Sequence, residues 1–279
     1  MATFDLTRRC PLRCRHCYFF RGPLPPDDDL DDATFLAGLE DTVRRHGIRS
    51  AFWVGGEPLL RAELLRKAVR SVPRNAVATS GVVPIPADLE AGLLVSVDGP
   101  EELHDGLRGS GAFQRTRRNL EALRARTFFL SVTFTSSNLA ATEHLPALRE
   151  ELGAAGILVG FHVGPPGDPL RVAPEQRERA VDRLQRLPPG TVVNSELALE
   201  MLRPSCAEVV AHRCIYRHRA IAFDVQLRPK TPCTFGPAAS CDACGCGIVA
   251  AQAALTLGDE DSRTMLETLF PLRADAGAR

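Results

Sequence analysis

Over its first 190 residues this chain alternates short apolar, β-rich runs with longer stretches of helical periodicity. The runs at 3–7, 51–54, 76–79, 93–97, 128–135 and 157–163 predict six strands. Helical patterns fall between and after them, at 32–46, 62–72, 115–125, 142–155 and 174–187. In the first of these, Leu36, Leu39 and Val43 recur on one face, an acidic run precedes the start and Gly47 marks the end. Strands alternating with helices imply parallel βαβ units with right-handed crossovers. Six strands are too few to close an eight-stranded barrel, so the expected architecture is an α/β fold. It is a partial, open, about six-stranded βα TIM-like barrel with active groups on loops at the strand C-termini. A doubly wound sheet is the competing arrangement, which periodicity alone does not separate from it.

Proline and glycine become dense at Gly164-Pro-Pro-Gly167 and Pro188-Pro-Gly190, where the repeating pattern stops. Residues 1–190 are therefore expected to form the barrel, 191–255 a small cysteine-rich auxiliary domain, and 256–279 a C-terminal helix and tail. Within the middle part, 220–227 reads as one strand of a hairpin with 228–232 as its turn. Residues 259–269 read as a modest helix before a polar tail.

Composition narrows the function. Lys+Arg and Asp+Glu both total 34, so no global basic field attracts nucleic acid. No apolar run approaches the length of a membrane span, and Asp5, Arg8 and Arg9 interrupt any secretory pattern. Nine cysteines without an export signal point to reduced thiols or metal ligands, and to the cytoplasm.

Those cysteines carry the chemistry. Cys10, Cys14 and Cys17 form a C-x3-C-x2-C loop directly after the first predicted strand, and the next cysteine is Cys206. Three thiolates hold three irons of a four-iron cluster and leave the fourth iron open to a small molecule. Half of a zinc site is the alternative reading. After the second predicted strand comes Gly55-Gly56-Glu57-Pro58, where two glycines let a ligand approach the backbone closely. The exposed peptide groups there, with Glu57, suit an ammonium group. After the fourth strand the chain reads Val95-Ser-Val-Asp-Gly-Pro100, then His104-Asp-Gly-Leu-Arg108.

Together these motifs resemble the radical S-adenosylmethionine (SAM) enzymes, in particular the subgroup with SPASM or twitch auxiliary-cluster domains. The resemblance implies a four-iron four-sulfur cluster on Cys10, Cys14 and Cys17, with SAM chelating the open iron. Gly55, Gly56 and Glu57 would hold the methionine amino group, and Ser96 and Asp98 would face the ribose. His16 stands where the family places an aromatic residue near the adenine, and backbone around 161–163 would face the same base. Arg108 suits a carboxylate through its planar fork, or a surface ion pair. Reductive cleavage of SAM would give methionine and a 5′-deoxyadenosyl radical that abstracts hydrogen from the substrate, with electrons from an external flavodoxin- or ferredoxin-type donor.

The C-terminal cysteines suggest a second metal. Cys233, Cys241, Cys244 and Cys246 fall within fourteen residues, and Cys214 precedes the expected hairpin. By analogy with twitch domains, an auxiliary four-iron cluster would take Cys214, Cys233, Cys241 and Cys244. Cys246 is a substitute for Cys244, Cys206 is a bystander, and structural zinc is the competitor. Tyr216, His212 and His218 flank Cys214 without an assigned role, while His162 ends the sixth strand where it has a chance of facing the cavity.

The function expected is hydrogen abstraction from a small molecule such as a sugar or aminocyclitol. The alternatives are maturation of a ribosomal peptide, or a non-enzymatic iron–sulfur or zinc protein. Peptide-modifying members often carry an N-terminal leader-binding domain, and the first strand begins here at residue 3, which favours the small molecule. A structural metal site needs neither the Gly55–Gly56 turn nor the Ser96–Asp98 strand end.

Overall fold

The computed structural model describes residues 1–21, 28–123 and 126–273. The last two residues of the helix expected at 115–125, and the tail beyond 273, lie outside that range. Six parallel strands appear where the apolar runs place them: β1 Ala2–Asp5, β2 Ser50–Val54, β3 Arg74–Thr79, β4 Gly92–Ser96, β5 Phe129–Phe134 and β6 Ile157–Phe161. Two short strands follow, β7 Ile221–Phe223 and β8 Pro229–Lys230. The sheet runs β6-β5-β4-β3-β2-β1-β7-β8 and is not closed. The architecture is thus a partial barrel of eight strands, six from βα units and two from a hairpin.

That hairpin differs from expectation in register. β7 lies parallel to β1 and antiparallel to β8, so residues 229–230 pair as a strand instead of turning. The turn is 224–227. Asp224 builds it by accepting hydrogen bonds from the amides of Gln226 (2.8 Å) and Arg228 (2.9 Å), with Leu227 at φ 59°. A side-chain-driven turn of this kind leaves little periodic signal. In-register aromatics fasten the hairpin to the barrel: Phe4 of β1 stacks on Trp53 of β2 at 5.0 Å and on Phe223 of β7 at 5.1 Å.

The Asp32–His46 helix has the ends read from its sequence. Asp31 accepts hydrogen bonds from the amides of Ala33 and Thr34, and Gly47 turns left-handed after the last residue. Of the helices that were not expected, two matter most for the site. Glu101–Arg108 carries the Arg108 side chain, and Gly247–Thr256 is buried nearly all round, so it shows no polar stripe for periodicity to detect.

The outer edge of β6 is covered by the later chain. Ile157 donates to Thr191 O and accepts from Val193 N, the Asn194 amide brackets Val159 N and O, and Phe161 N donates to Gly245 O at 2.7 Å. The approach is too close for side chains: a Cβ on Gly247 would stand 2.2 Å from Val159 O. Small residues at this crossing therefore bring the C-terminal cysteines onto the barrel mouth.

One buried polar bracket ties β2 and β3 to the segment before them. The Asn75 side chain accepts from Trp53 Nε1 at 2.9 Å and donates to Val69 O and Val72 O at 2.9 and 2.8 Å. Asn75→Ala strands one donor and two acceptors in the core, and the expected loss is about 2–4 kcal/mol. Urea unfolding checks this, and an unshifted midpoint contradicts the role given to Asn75.

Candidate active site

β1 and β2 pair in register to their ends, Asp5 opposite Val54, so the loops that leave them run side by side. Gly56 N donates to Thr7 O and Glu57 N donates to Arg9 O, both at 2.8 Å. A Cβ on Gly56 would lie 2.2 Å from Arg9 O, and Gly55 adopts φ 121°; only glycines allow the two loops to touch. The cysteine loop then closes on itself. The Arg13 guanidinium donates to Cys10 O and Leu12 O, and Cys17 N donates to Cys14 O.

Cys10, Cys14, His16, Cys17, Gly55, Gly56, Ser96 and Arg108 all line one cavity of about 260 Å³ at the C-terminal ends of the strands. Burial pushes the Cys10 thiol up to about 11 and raises Cys14, although the Arg108 guanidinium opposes the latter. Without metal these are neutral thiols, and iron would have to displace their protons. Three half-buried sulfurs on one loop, facing a cavity large enough for a small ligand, fit a cluster with an open iron.

Two residues expected at the ligand stand behind the cavity instead. Glu57 is buried, and its carboxylate accepts four hydrogen bonds, from Leu59 N, Thr79 Oγ1, Ser80 N and Ser80 Oγ. Four donors occupy the acceptor sites of a carboxylate, so Glu57 braces the β3 end and has no place for an ammonium group. Asp98 is also fully buried. It accepts from Arg108 Nε at 2.6 Å and Thr133 N at 3.0 Å, with His16 Nε2 3.4 Å away. It orients Arg108 and does not face a ribose. Burial by itself would raise the Asp98 carboxyl, but the Arg108 and His16 side chains hold it down to about 2. From the same anchorage Arg108 reaches Cys14 Sγ at 3.9 Å and His16 Nε2 at 3.5 Å. His104 accepts from Asp98 N, and burial together with Arg108 pushes it down to about 4, so it is neutral there.

The other cysteines divide between two places. Cys214, Cys233, Cys241 and Cys244 line a second cavity of about 60 Å³ with Tyr216 and Val249. Cys246 lines the main cavity, where burial pushes its thiol up to about 12. Cys206 lines neither of these two cavities. Tyr216 pairs its hydroxyl with Thr3 Oγ1 at 2.5 Å, while His212 and His218 are on the surface.

Other groups at the site carried little or no sequence signal. His162 lines the cavity and pairs Nε2 with Asp168 Oδ2 at 2.8 Å, through a loop that folds back six residues later. Tyr18 closes one side, its ring edge on Phe235 at 5.0 Å. Arg177 donates to Leu202 O, Ala243 O and Cys244 O. Nothing in a single sequence places a helix-borne arginine against a cysteine turn 66 residues away.

Residues 4–138 match the family model of the Radical SAM superfamily. The AdoMet-dependent heme synthase of Oleidesulfovibrio alaskensis is 32% identical over 169 residues, 56% of this chain and 43% of that protein. The mycofactocin maturase MftC of Mycobacterium ulcerans is 30% identical over 169 residues, 54% of this chain and 44% of that one. The chain spans less than half the length of either relative. Among solved structures, native anSMEcpe with bound AdoMet superposes with a TM-score of 0.62 at 14% identity, over 85% of this chain and 75% of that one. At that identity the likeness is one of fold. No helix among the described residues is long and apolar enough to cross a membrane.

Asp98→Asn leaves the Arg108 charge buried without its counter-ion, and the expected destabilisation of the cluster-free chain at pH 7 is about 3–5 kcal/mol. Because the folded carboxyl lies below its ordinary value, this stability is present above about pH 4 and is lost as pH falls toward 2. Unfolding curves of the two proteins should therefore converge across that window; a gap that persists unchanged at the acid end sinks the ion-pair account.

Proposed function

We propose that the chain is a radical SAM enzyme, as the match of residues 4–138 to that superfamily's model supports, and that it abstracts hydrogen from a small molecule using S-adenosylmethionine bound in the main cavity. One observation carries the reading: three loop thiols, the Gly55–Gly56 backbone and the Arg108 fork all open onto one cavity. Cys10, Cys14 and Cys17 would hold a four-iron four-sulfur cluster, whose bound SAM, once reduced, supplies a 5′-deoxyadenosyl radical. Gly55 and Gly56 present backbone to the amino group. Arg108, held by Asp98, offers its remaining N–H groups to the carboxylate. Ser96 and His16 border the nucleoside side. Leu94, Leu158 and Phe161 give the cavity apolar walls that keep water from a reactive intermediate.

For the second cysteine group we infer an auxiliary four-iron four-sulfur cluster on Cys214, Cys233, Cys241 and Cys244, supported by the small shared cavity they line. Cys246, on the main cavity, is the surplus thiol. The cysteine-rich auxiliary unit of 191–255 would add β7 and β8 to the sheet begun by the barrel of 1–190, ahead of the C-terminal segment 256–279. An external flavodoxin- or ferredoxin-type donor and a reducing, cytoplasmic setting suit thiols and clusters of this kind.

A peptide substrate is the second reading, favoured by the 30% identity to a mycofactocin maturase. The heme synthase likeness points the other way, to a small molecule. Incubation with candidate precursor peptides and with small metabolites, each followed by mass, separates the two.

Reconstituted anaerobically and given dithionite and SAM, the wild type should release 5′-deoxyadenosine, and Cys10→Ala should release none. A wild type that carries its first cluster yet makes no product removes the enzyme reading. Cys233→Ala should lose about four irons per chain while the loop cluster stays; zinc in place of that iron would return the second group to a structural role.

A further inference from the structure

Each cysteine group has one buried arginine beside it, and the two differ in how their charge is balanced. Arg108, next to Cys14, is matched by the Asp98 carboxylate at 2.6 Å, so the pair is close to neutral. Arg177, on the Pro174–Gln185 helix, is matched by no carboxylate among the described residues. Its Nε donates to Leu202 O, and its two terminal nitrogens donate to Ala243 O at 3.1 Å and Cys244 O at 2.7 Å. The neighbouring carboxylate on its own helix, Glu178, is taken by Arg203 at 2.8 Å. Phe161 lies under the guanidinium, 4.9 Å from ring centroid to carbon, and lines the main cavity. Arg177 thus stands between Phe161 and the Cys241–Cys244 turn, with its charge against that turn. A guanidinium is always cationic at neutral pH, so the charge is fixed.

Three neutral carbonyls would be braced as well by neutral donors, and burying an uncompensated guanidinium for that purpose alone is costly. A group that gains negative charge nearby offsets this cost. We propose that Arg177 is a positioning residue that sets the reduction potential of the auxiliary centre, its fixed positive charge favouring the reduced form. The proposal rests on the auxiliary-cluster reading above. Reduction adds one electron to that centre with no proton; Arg217, which also lines its cavity, is exposed to screening solvent, and Arg177 is the buried cation placed to stabilise it.

The test is a dithionite redox titration of the reconstituted holoprotein, followed by electron paramagnetic resonance, with iron counted per chain. Arg177→Gln keeps amide donors and removes the charge; it should retain the iron of both centres while the auxiliary midpoint moves to more negative potential. The loop cluster, whose arginine is already paired, should titrate as in wild type. Arg177→Lys keeps the charge and should stay near the wild-type midpoint. If the glutamine variant does not load, the lysine variant decides: a wild-type midpoint supports the proposal, and a large negative shift with the charge retained overturns it. An auxiliary midpoint unmoved in Arg177→Gln also overturns it and leaves the cluster reading standing. A wild type that loads only the loop cluster fails earlier, at the auxiliary-cluster reading, and takes this proposal with it.

Discussion

The parallel register of β1 against β2 is the constraint on which the site depends. With Asp5 opposite Val54, the chain leaves both strands at one level, and the two loops meet backbone to backbone. A slip of one residue would reverse which side chains face the core and carry the cysteine loop away from Gly55 and Gly56. Phe4 fixes that register from the inside, caught between Trp53 and Phe223 in a stack that spans three strands. The aromatic core and the metal loop are consequences of one alignment.

A second alignment adds the far wall. β6 presents an edge, and edges left open recruit other strands. Residues 191–194 and 245 occupy it with strand-like hydrogen bonds, and Gly160 and Gly247 let the backbones approach within the space a methyl group would need. Covering the edge and delivering Cys246 to the cavity are therefore the same event. At the other end of the sheet, β7 and β8 pair onto β1, and Lys230 of β8 reaches Asp5 of β1 at 2.6 Å. The later cysteine region is tied to the barrel at both ends of the open sheet.

Much of this was legible in the sequence, for physical reasons that also set its limits. Buried parallel strands are short apolar runs, so all six appear where those runs are. Asp31 and Gly47 cap their helix with side-chain and backbone chemistry that sequence carries directly. The cysteine spacing is local, and the three thiols share a cavity as that spacing implied. What sequence does not carry is the direction in which a buried carboxylate points. Glu57 and Asp98 lie in the motifs that the resemblance assigns to SAM, yet each is buried and held by donors from elsewhere in the fold: Thr79 and Ser80 for the one, Arg108 and Thr133 for the other. The helix of residues 247–256 escaped notice because periodicity needs a polar face, and this helix has almost none.

The two cysteine groups lie close together in a small protein, and what separates them is apolar. Val163 and Phe235 line both cavities, and Tyr18 meets Phe235 edge to face at 5.0 Å. Apolar side chains in such a partition exclude water. Tyr18 is ionisable, and burial together with the nearby Asp5 carboxyl pushes its hydroxyl well above its ordinary value, so it stays neutral. Asp5 is itself pushed up to about 6 by burial, with Lys230 pulling against that rise. Asp5 and Lys230 form an ion pair behind the partition. In such a dry wall the electrostatic difference between the two sites falls to the arginines that flank them, one balanced by a carboxylate and one not.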